Sequence, residues 1–196
     1  MRSLNGNFQA ALAAIDAANA HDPTIVNVRG VDVPLALAHG QLATEWVLHL
    51  RPDASDALLL AARAHHLRRW ETPRSSYPEG RAGYLIWRRD QKSRHALQVE
   101  SILADQGYDQ TTIARTQDLI RRQHISTDSE TQLVEDAACL VFLETQLATL
   151  TERLERDHLT TIIQKTAAKM SPAGRALVEL LPLSAAERLL LSEALA

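Results

Sequence analysis

The sequence predicts an all-α protein, a single compact helical bundle, and three observations carry that prediction. Ala and Leu are abundant while only seven residues in 196 are Gly, a composition suited to helices because Ala and Leu lose little on entering one. Apolar residues recur at helical spacing between caps and proline stops along nearly the whole chain. β-Branched residues gather in one short stretch only, "TIVNVRGVDVP". A chain of 196 residues forms one domain with a real core, and no internal repeat, low-complexity tract or linker divides residues 1–196.

The elements follow in order. "NFQAALAAIDAANAHDP" is a first amphipathic helix, stopped near Asp22 by Pro23. "TIVNVRGVDVP" reads as an irregular connection, or at most a brief extended segment. The second helix starts near Pro34 or Leu35 and runs through "LALAHGQLATEWVLHL" to Pro52. Asp53 or Ser55 caps a third, from about Ala54 to Trp70. "ETPRSSYPEGRAGY", with two prolines and two glycines, is a loop. A long helix spans about Ala82 to Gln106 and stops at Gly107, and Asp109 caps the next, to about His124. "STDSE" opens another long helix from Asp128, and the tail adds two or three more, punctuated by Pro172 and Pro182, with 172–195 packing on the rest.

Bulk properties narrow the function classes. The net charge of −3 gives no global attraction to nucleic acid or an anionic membrane. The charge is uneven, however: nine Arg or Lys stand against three Asp or Glu between Arg63 and Arg94, so that stretch carries +6 and the remainder −9. Cys139 is the only cysteine, which excludes an internal disulfide and a cysteine-rich zinc site. The N-terminus lacks the order of a signal peptide and no apolar run approaches a membrane span, so the cytoplasm is the expected compartment.

Several polar residues stand where a buried helix would prefer leucine. They are His39 in "LALAHGQL", His65 and His66 in "LLLAARAHHL", His95 in "KSRHAL", and Glu135 with Asp136 in "QLVEDAACLVFL". A buried carboxylate needs a cation or a donor, and the histidines are the candidates for Asp136. His65 and His66, as helix neighbours, diverge by about 100°, which makes His66 the better candidate for a site and leaves the other facing core or solvent. His21, His49, His124 and His158 belong to no such constellation. Beside it, the cations of the loop suit an anion: Arg69, Arg74 and Arg81 can fork onto phosphate oxygens, with Lys92 adding charge. Trp70, Tyr77, Tyr84 and Trp87 offer aromatic faces, or serve as packing residues with polar tips.

The order and spacing of these residues resemble the HD superfamily of helical metal-dependent phosphohydrolases. The resemblance places His39 as the first histidine, "LAARAHH" as the run ending in the His-Asp pair, Asp136 as the final aspartate and His95 as an additional histidine of larger members. One departure matters, because the pair here is His65-His66. An imidazole cannot bridge two metals as a carboxylate can, so the sequence favours one divalent transition metal over two, or none at all. Over residues of about 15–170 the chain also resembles the domain-of-unknown-function 4202 family, through "HHLRRWETPRSSYPEGRAGYLIWR", "KSRHA" and "LVEDAACLVFLE". That resemblance implies no activity. "KMS" at Lys169–Ser171 is part of a class I synthetase signature, but a helical chain supplies no nucleotide-binding sheet and "AHGQ" is a poor companion motif.

The expectation is therefore an HD-like hydrolase acting on a small phosphate-bearing substrate, a nucleotide foremost. His66, His95 and Asp136 would hold the metal, with His39 and His65 as further ligands and Glu135 as a base. Arg69, Arg74, Arg81, Tyr84 and Lys92 would bind substrate, with His66 and Asp136 facing one pocket and His95 and Arg69 at its rim. Two alternatives stay open: a non-catalytic module for an anionic ligand such as a nucleotide or RNA, and a helical interaction protein that dimerises through one face. Nucleic acid is the less favoured ligand.

Overall fold

Phe8, Ala11 and Ile15 fall on one face of α1 (Gly6–Asn19) and bury there. In this computed structural model, which describes residues 6–195, that face packs on α3 (Asp56–Ala64) and α2 (Leu35–Leu50). The extreme N-terminus, part of the signal-peptide reading, lies outside the described residues. Arg63 on α3 donates to both carboxylate oxygens of Asp16 at 2.6 and 2.5 Å, which fixes the register of the two helices.

The stretch after α1 departs from expectation. Ile25–Val28 (β1) and Val31–Pro34 (β2) pair antiparallel, Ile25 opposite Pro34 and Val28 opposite Val31. Arg29 and Gly30 turn the chain with φ of +51° and +88°, the left-handed pair that a two-residue hairpin requires. The turn sequence was Arg-Gly rather than Asn-Gly, so the strongest hairpin signal was missing. The tip is held down by Arg29, whose guanidinium donates to Glu144 at 2.9 Å and to Glu45 at 3.0 Å.

Helix α3 is the centre of the bundle. Ser55 caps it, accepting from the Leu58 N–H at 3.1 Å, and Ala57 to Ala62 are all buried. It contacts α1, α2, α5 (Gln110–Arg121) and α6 (Ser129–Arg153). It stops at Ala64, six residues short of the predicted Trp70. Arg68 takes a left-handed φ of +50° and its N–H is captured by the buried Asn19 side chain at 3.0 Å, so the chain turns away. A short 3-10 turn at Arg69–Glu71 and another at Arg74–Ser76 occupy the predicted loop.

The remaining boundaries follow their caps. Helix α4 (Gly80–Asp105) ends where Gly107, φ +75°, lets its own N–H reach Ala104 and the Tyr108 N–H reach Leu103, a Schellman closure. Asp109 caps α5 and Asp128 caps α6. The tail supplies α7 (Arg156–Ala167), α8 (Pro172–Ala176) and α9 (Ala185–Leu195), whose buried Leu159, Ile163, Leu190 and Leu191 join the same core as α1–α6. Among the described residues, no helix is long and apolar enough to cross a membrane.

Gly40 sets how closely α2 and α3 approach, and hence where His39 lies. A Cβ there would stand 2.5 Å from the Arg63 carbonyl oxygen, a backbone atom with nowhere to move. Gly40→Ala is expected to lower folding stability by about 1–3 kcal/mol, as overpacking does. A denaturant midpoint equal to wild type would show that the helices yield freely.

Candidate metal centre

Four histidines meet beneath the hairpin. His39 comes from the second turn of α2, His65 and His66 from the turn that ends α3, and His95 from α4. Their rings form a chain of contacts: His65 to His66 at 4.1 Å between centroids, His39 to His66 at 5.0 Å, and His66 to His95 at 6.1 Å. The ligand nitrogens of His39, His65 and His66 all lie within 4.8 Å of one another. This is a histidine cluster able to hold a metal.

The hydrogen-bond partners fix where the protons sit. His65 Nδ1 lies 2.8 Å from the Ala62 carbonyl and His95 Nδ1 lies 2.7 Å from the Leu67 carbonyl. A carbonyl only accepts, so both rings carry their proton on Nδ1 and present a bare lone pair on Nε2. Thr145 Oγ1 on α6 donates to the Val141 carbonyl at 2.8 Å, so it accepts from His39 Nε2–H at 3.0 Å. The lone pair of His39 is therefore on Nδ1, and His66 Nδ1–H donates to it at 2.8 Å. That leaves His66 Nε2 bare as well.

Burial keeps the rings neutral. It pushes the pKa of His39 and of His95 down to about 3, the charge of Arg69 adding to the effect. His65 and His66 are held well below the ordinary histidine value by burial, then by Arg122 at His65 and by the neighbouring His65 at His66. Neutral imidazoles are the form in which histidine binds a metal, and here His39, His65 and His95 each have one nitrogen tied to a carbonyl or hydroxyl while His66 is tied to His39. Two of the lone pairs, His65 Nε2 and His95 Nε2, are buried with no partner among the described residues. A buried acceptor left unmatched costs about 1–3 kcal/mol, so these two nitrogens call for a donor or a cation that no described residue supplies.

A cavity of about 180 Å³ opens beside His39 and His66, lined also by Arg69, Trp70, Trp87 and the chain at Asp22–Thr24. The Arg69 guanidinium lies 4.4 Å over the Trp87 ring and has no carboxylate partner among the described residues. Burial lowers its pKa to about 10, so it remains a cation at neutral pH. Asp22 brings a carboxylate to the cavity wall, where its two oxygens accept from the N–H groups of Thr24 and Ala36 at 2.9 and 3.0 Å.

The predicted site residues divide. His39, His65, His66 and Arg69 come together, with His95 next to them. Asp136 does not join them, which corrects the expected His66–Asp136 pairing. It is fully buried, but its oxygens accept from Ser171 N–H and Oγ at 2.8 and 2.6 Å and from Gln132 at 2.8 Å. Gly174 permits this approach, since a Cβ there would stand 2.6 Å from the Asp136 carboxyl carbon. Glu135 is no free base either: it takes a 2.9 Å ion pair from the buried Arg122. Burial opposes its ionisation, but Arg122, Lys92 and Arg88 together hold its pKa below the ordinary value. Arg74 turns into its own loop, donating to the carbonyls of Tyr77 and Gly80, while Arg81 and Tyr84 are exposed, and none of the three lines the cavity. Lys92 lies outside the cavity lining too, in a basic group around Glu135.

Thr145 and Arg122 were not foreseen. Thr145 carried a faint signal, a hydroxyl inside the apolar run of α6; Arg122 carried none, because its role depends on the tertiary meeting of α5 and α6. The domain-of-unknown-function 4202 family (DUF4202) matches residues 9–191, longer at both ends than the resemblance carried by the phrases quoted above. No curated protein and no solved structure matches the chain.

Proposed function

The chain belongs to the domain-of-unknown-function 4202 family, whose description carries no chemistry, and from the site itself we propose a metal-dependent phosphohydrolase for a small phosphorylated substrate. One observation carries the reading: three neutral histidines have ligand atoms within 4.8 Å of one another, and two of them, His39 and His66, line a cavity that also holds Arg69, which has no carboxylate partner among the described residues. The order of the histidines along the chain, which resembles the HD superfamily, supports it further.

His39, His65 and His66 would hold the metal, His39 Nδ1 giving up the hydrogen bond from His66 to do so, with His95 adjacent. Bound there, a divalent transition metal lowers the pKa of a coordinated water and polarises a phosphoryl oxygen. The protein's own contributions are separate. Thr145 and the Ala62 carbonyl orient two of the rings. Arg69, held by Trp87, neutralises the phosphate at the cavity wall, and the size of the cavity, about 180 Å³, suits a small group rather than a nucleic-acid strand. The compartment that goes with this reading is the cytoplasm.

A second reading is favoured by how the carboxylates are engaged. Glu135 and Asp136 are engaged away from the cavity, and Asp22 at its wall is held by two backbone N–H groups, an arrangement that suits an anion-binding module without turnover. An interaction protein with its histidines satisfied in the core fits less well, since two of the imidazole lone pairs are unmatched.

Metal analysis of the purified protein separates these readings. The expected result is close to one transition metal per chain by plasma mass spectrometry, falling at least tenfold in His66→Ala, together with hydrolysis of a phosphate ester by wild type. Metal without turnover selects the binding module. A wild-type protein that stays metal-free after incubation with zinc, cobalt and manganese ends the hydrolase reading.

A further inference from the structure

A second group of cations lies beside the histidine cluster, away from the cavity wall. Tyr84, Arg88 and Lys92 follow one another at i, i+4 and i+8 on α4, so they share a face, and Arg88 lies 5.8 Å over the Tyr84 ring. Arg69 is connected to this face through aromatic rings: it covers Trp87 at 4.4 Å, and Trp87 meets Tyr84 at 6.0 Å between centroids. Lys169 enters from the tail, its carbonyl held by Gln132 of α6 at 2.9 Å. The charges that act on Lys92 are those of Arg122, Glu135, Arg88 and Lys169.

Glu135 is the one carboxylate in this set, and Arg122 occupies it at 2.9 Å. Arg88, Lys92 and Lys169 are left with no ion-pair partner among the described residues. Arg122, Arg88 and Lys169 repel the partly buried Lys92 amine, Glu135 offsets them only in part, and an anion from outside would relieve the remainder. Burial and the neighbouring cations, Arg122 foremost, lower the Lys92 pKa to about 8, in keeping with a site short of negative charge.

We propose that Arg88, Lys92 and Lys169 form a second anion subsite, which receives a further phosphoryl group of the ligand whose first phosphate meets Arg69. The substrate class is then a compound with two or more phosphoryl groups, rather than a simple monoester. This rests on the hydrolase reading only in placing the first phosphate at Arg69; the subsite's own residues lie outside the cavity lining and need no metal.

Calorimetry with the full chain, as purified and after dialysis against a chelator, tests it with inorganic phosphate, pyrophosphate and tripolyphosphate as probes. In the chelator-treated protein the longer anions are expected to bind at least tenfold more tightly than phosphate. Arg88→Gln combined with Lys92→Gln should reduce that preference to within twofold while leaving the metal content of the purified protein unchanged. Lys169→Gln, at an exposed position, should reduce it in part and serves if the double variant misfolds. No preference in wild type, or one that persists in both variants, overturns the subsite. Preference without metal uptake instead keeps the subsite and removes the hydrolase.

Discussion

Acidification of the metal-free protein from pH 6.5 to 4.5 is expected to remove about 5 kcal/mol of folding stability through His39 and His95 alone. Both rings resist protonation in the folded state until about pH 3, because burial disfavours the charged form. In the unfolded chain they take up protons near the ordinary value of about 6.5. Between these values the unfolded state binds more protons, so the stability is fully present above pH 6.5 and is lost as the pH falls. Each such ring loses about 1.4 kcal/mol per pH unit in that window. His65 and His66, lowered in the same direction, add to the loss. A domain is stable by about 5–15 kcal/mol in total, so the protein should unfold well above the pH at which carboxylates titrate. Urea midpoints measured at pH 7.5, 6.5, 5.5 and 4.5 check this. A flat profile below 6.5 would mean that the histidines are already charged or solvated in the folded state.

Arg122→Ala should cost about 3–5 kcal/mol, the loss typical of breaking a buried ion pair from one side. The Arg122 side chain is only 7% exposed and that of Glu135 10%. Besides Glu135, the guanidinium donates to the carbonyls of Leu119, Ile120 and Val134, closing the end of α5 onto α6. Removing it strands a carboxylate and takes one donor from each of three carbonyls. The double variant Arg122→Ala with Glu135→Leu should recover much of the loss, because it removes the stranded charge as well. If the single variant unfolds within about 1 kcal/mol of wild type by denaturant titration, the pair contributes little.

The helices were legible where short-range chemistry decides them. Ser55, one of the two expected caps of α3, and Asp109 cap their helices, Asp128 caps the helix expected to start there, and Gly107 ends α4, because each acts on neighbours within a few residues. The end of α3 was not legible, since it depends on Asn19 capturing the Arg68 N–H from 49 positions away. That error carried into the site. The rule that His65 and His66 diverge assumes a continuing helix; with α3 ending at Ala64, both rings turn to the same cluster. For Asp136 the sequence indicated burial and the need for a partner, and both hold. Which partner it meets was decided by Ser171 and the room left at Gly174, a tertiary matter that no local pattern records.

The hairpin tip bears on more than the fold. Arg29 joins Glu45 of α2 to Glu144 of α6, and Glu144 also accepts from Trp46 at 2.9 Å. Those two helices carry His39 and Thr145, the latter directly following Glu144. The arginine thus acts as a reversible cross-link across 115 residues of chain, which removes the freedom of α2 to slide on α6 before any ligand arrives. A site fixed in advance loses less entropy on binding than one that must be assembled. The two arms differ in resilience: the Glu45 side chain is 40% exposed and that of Glu144 only 4%. Salt therefore loosens the first arm and leaves the second.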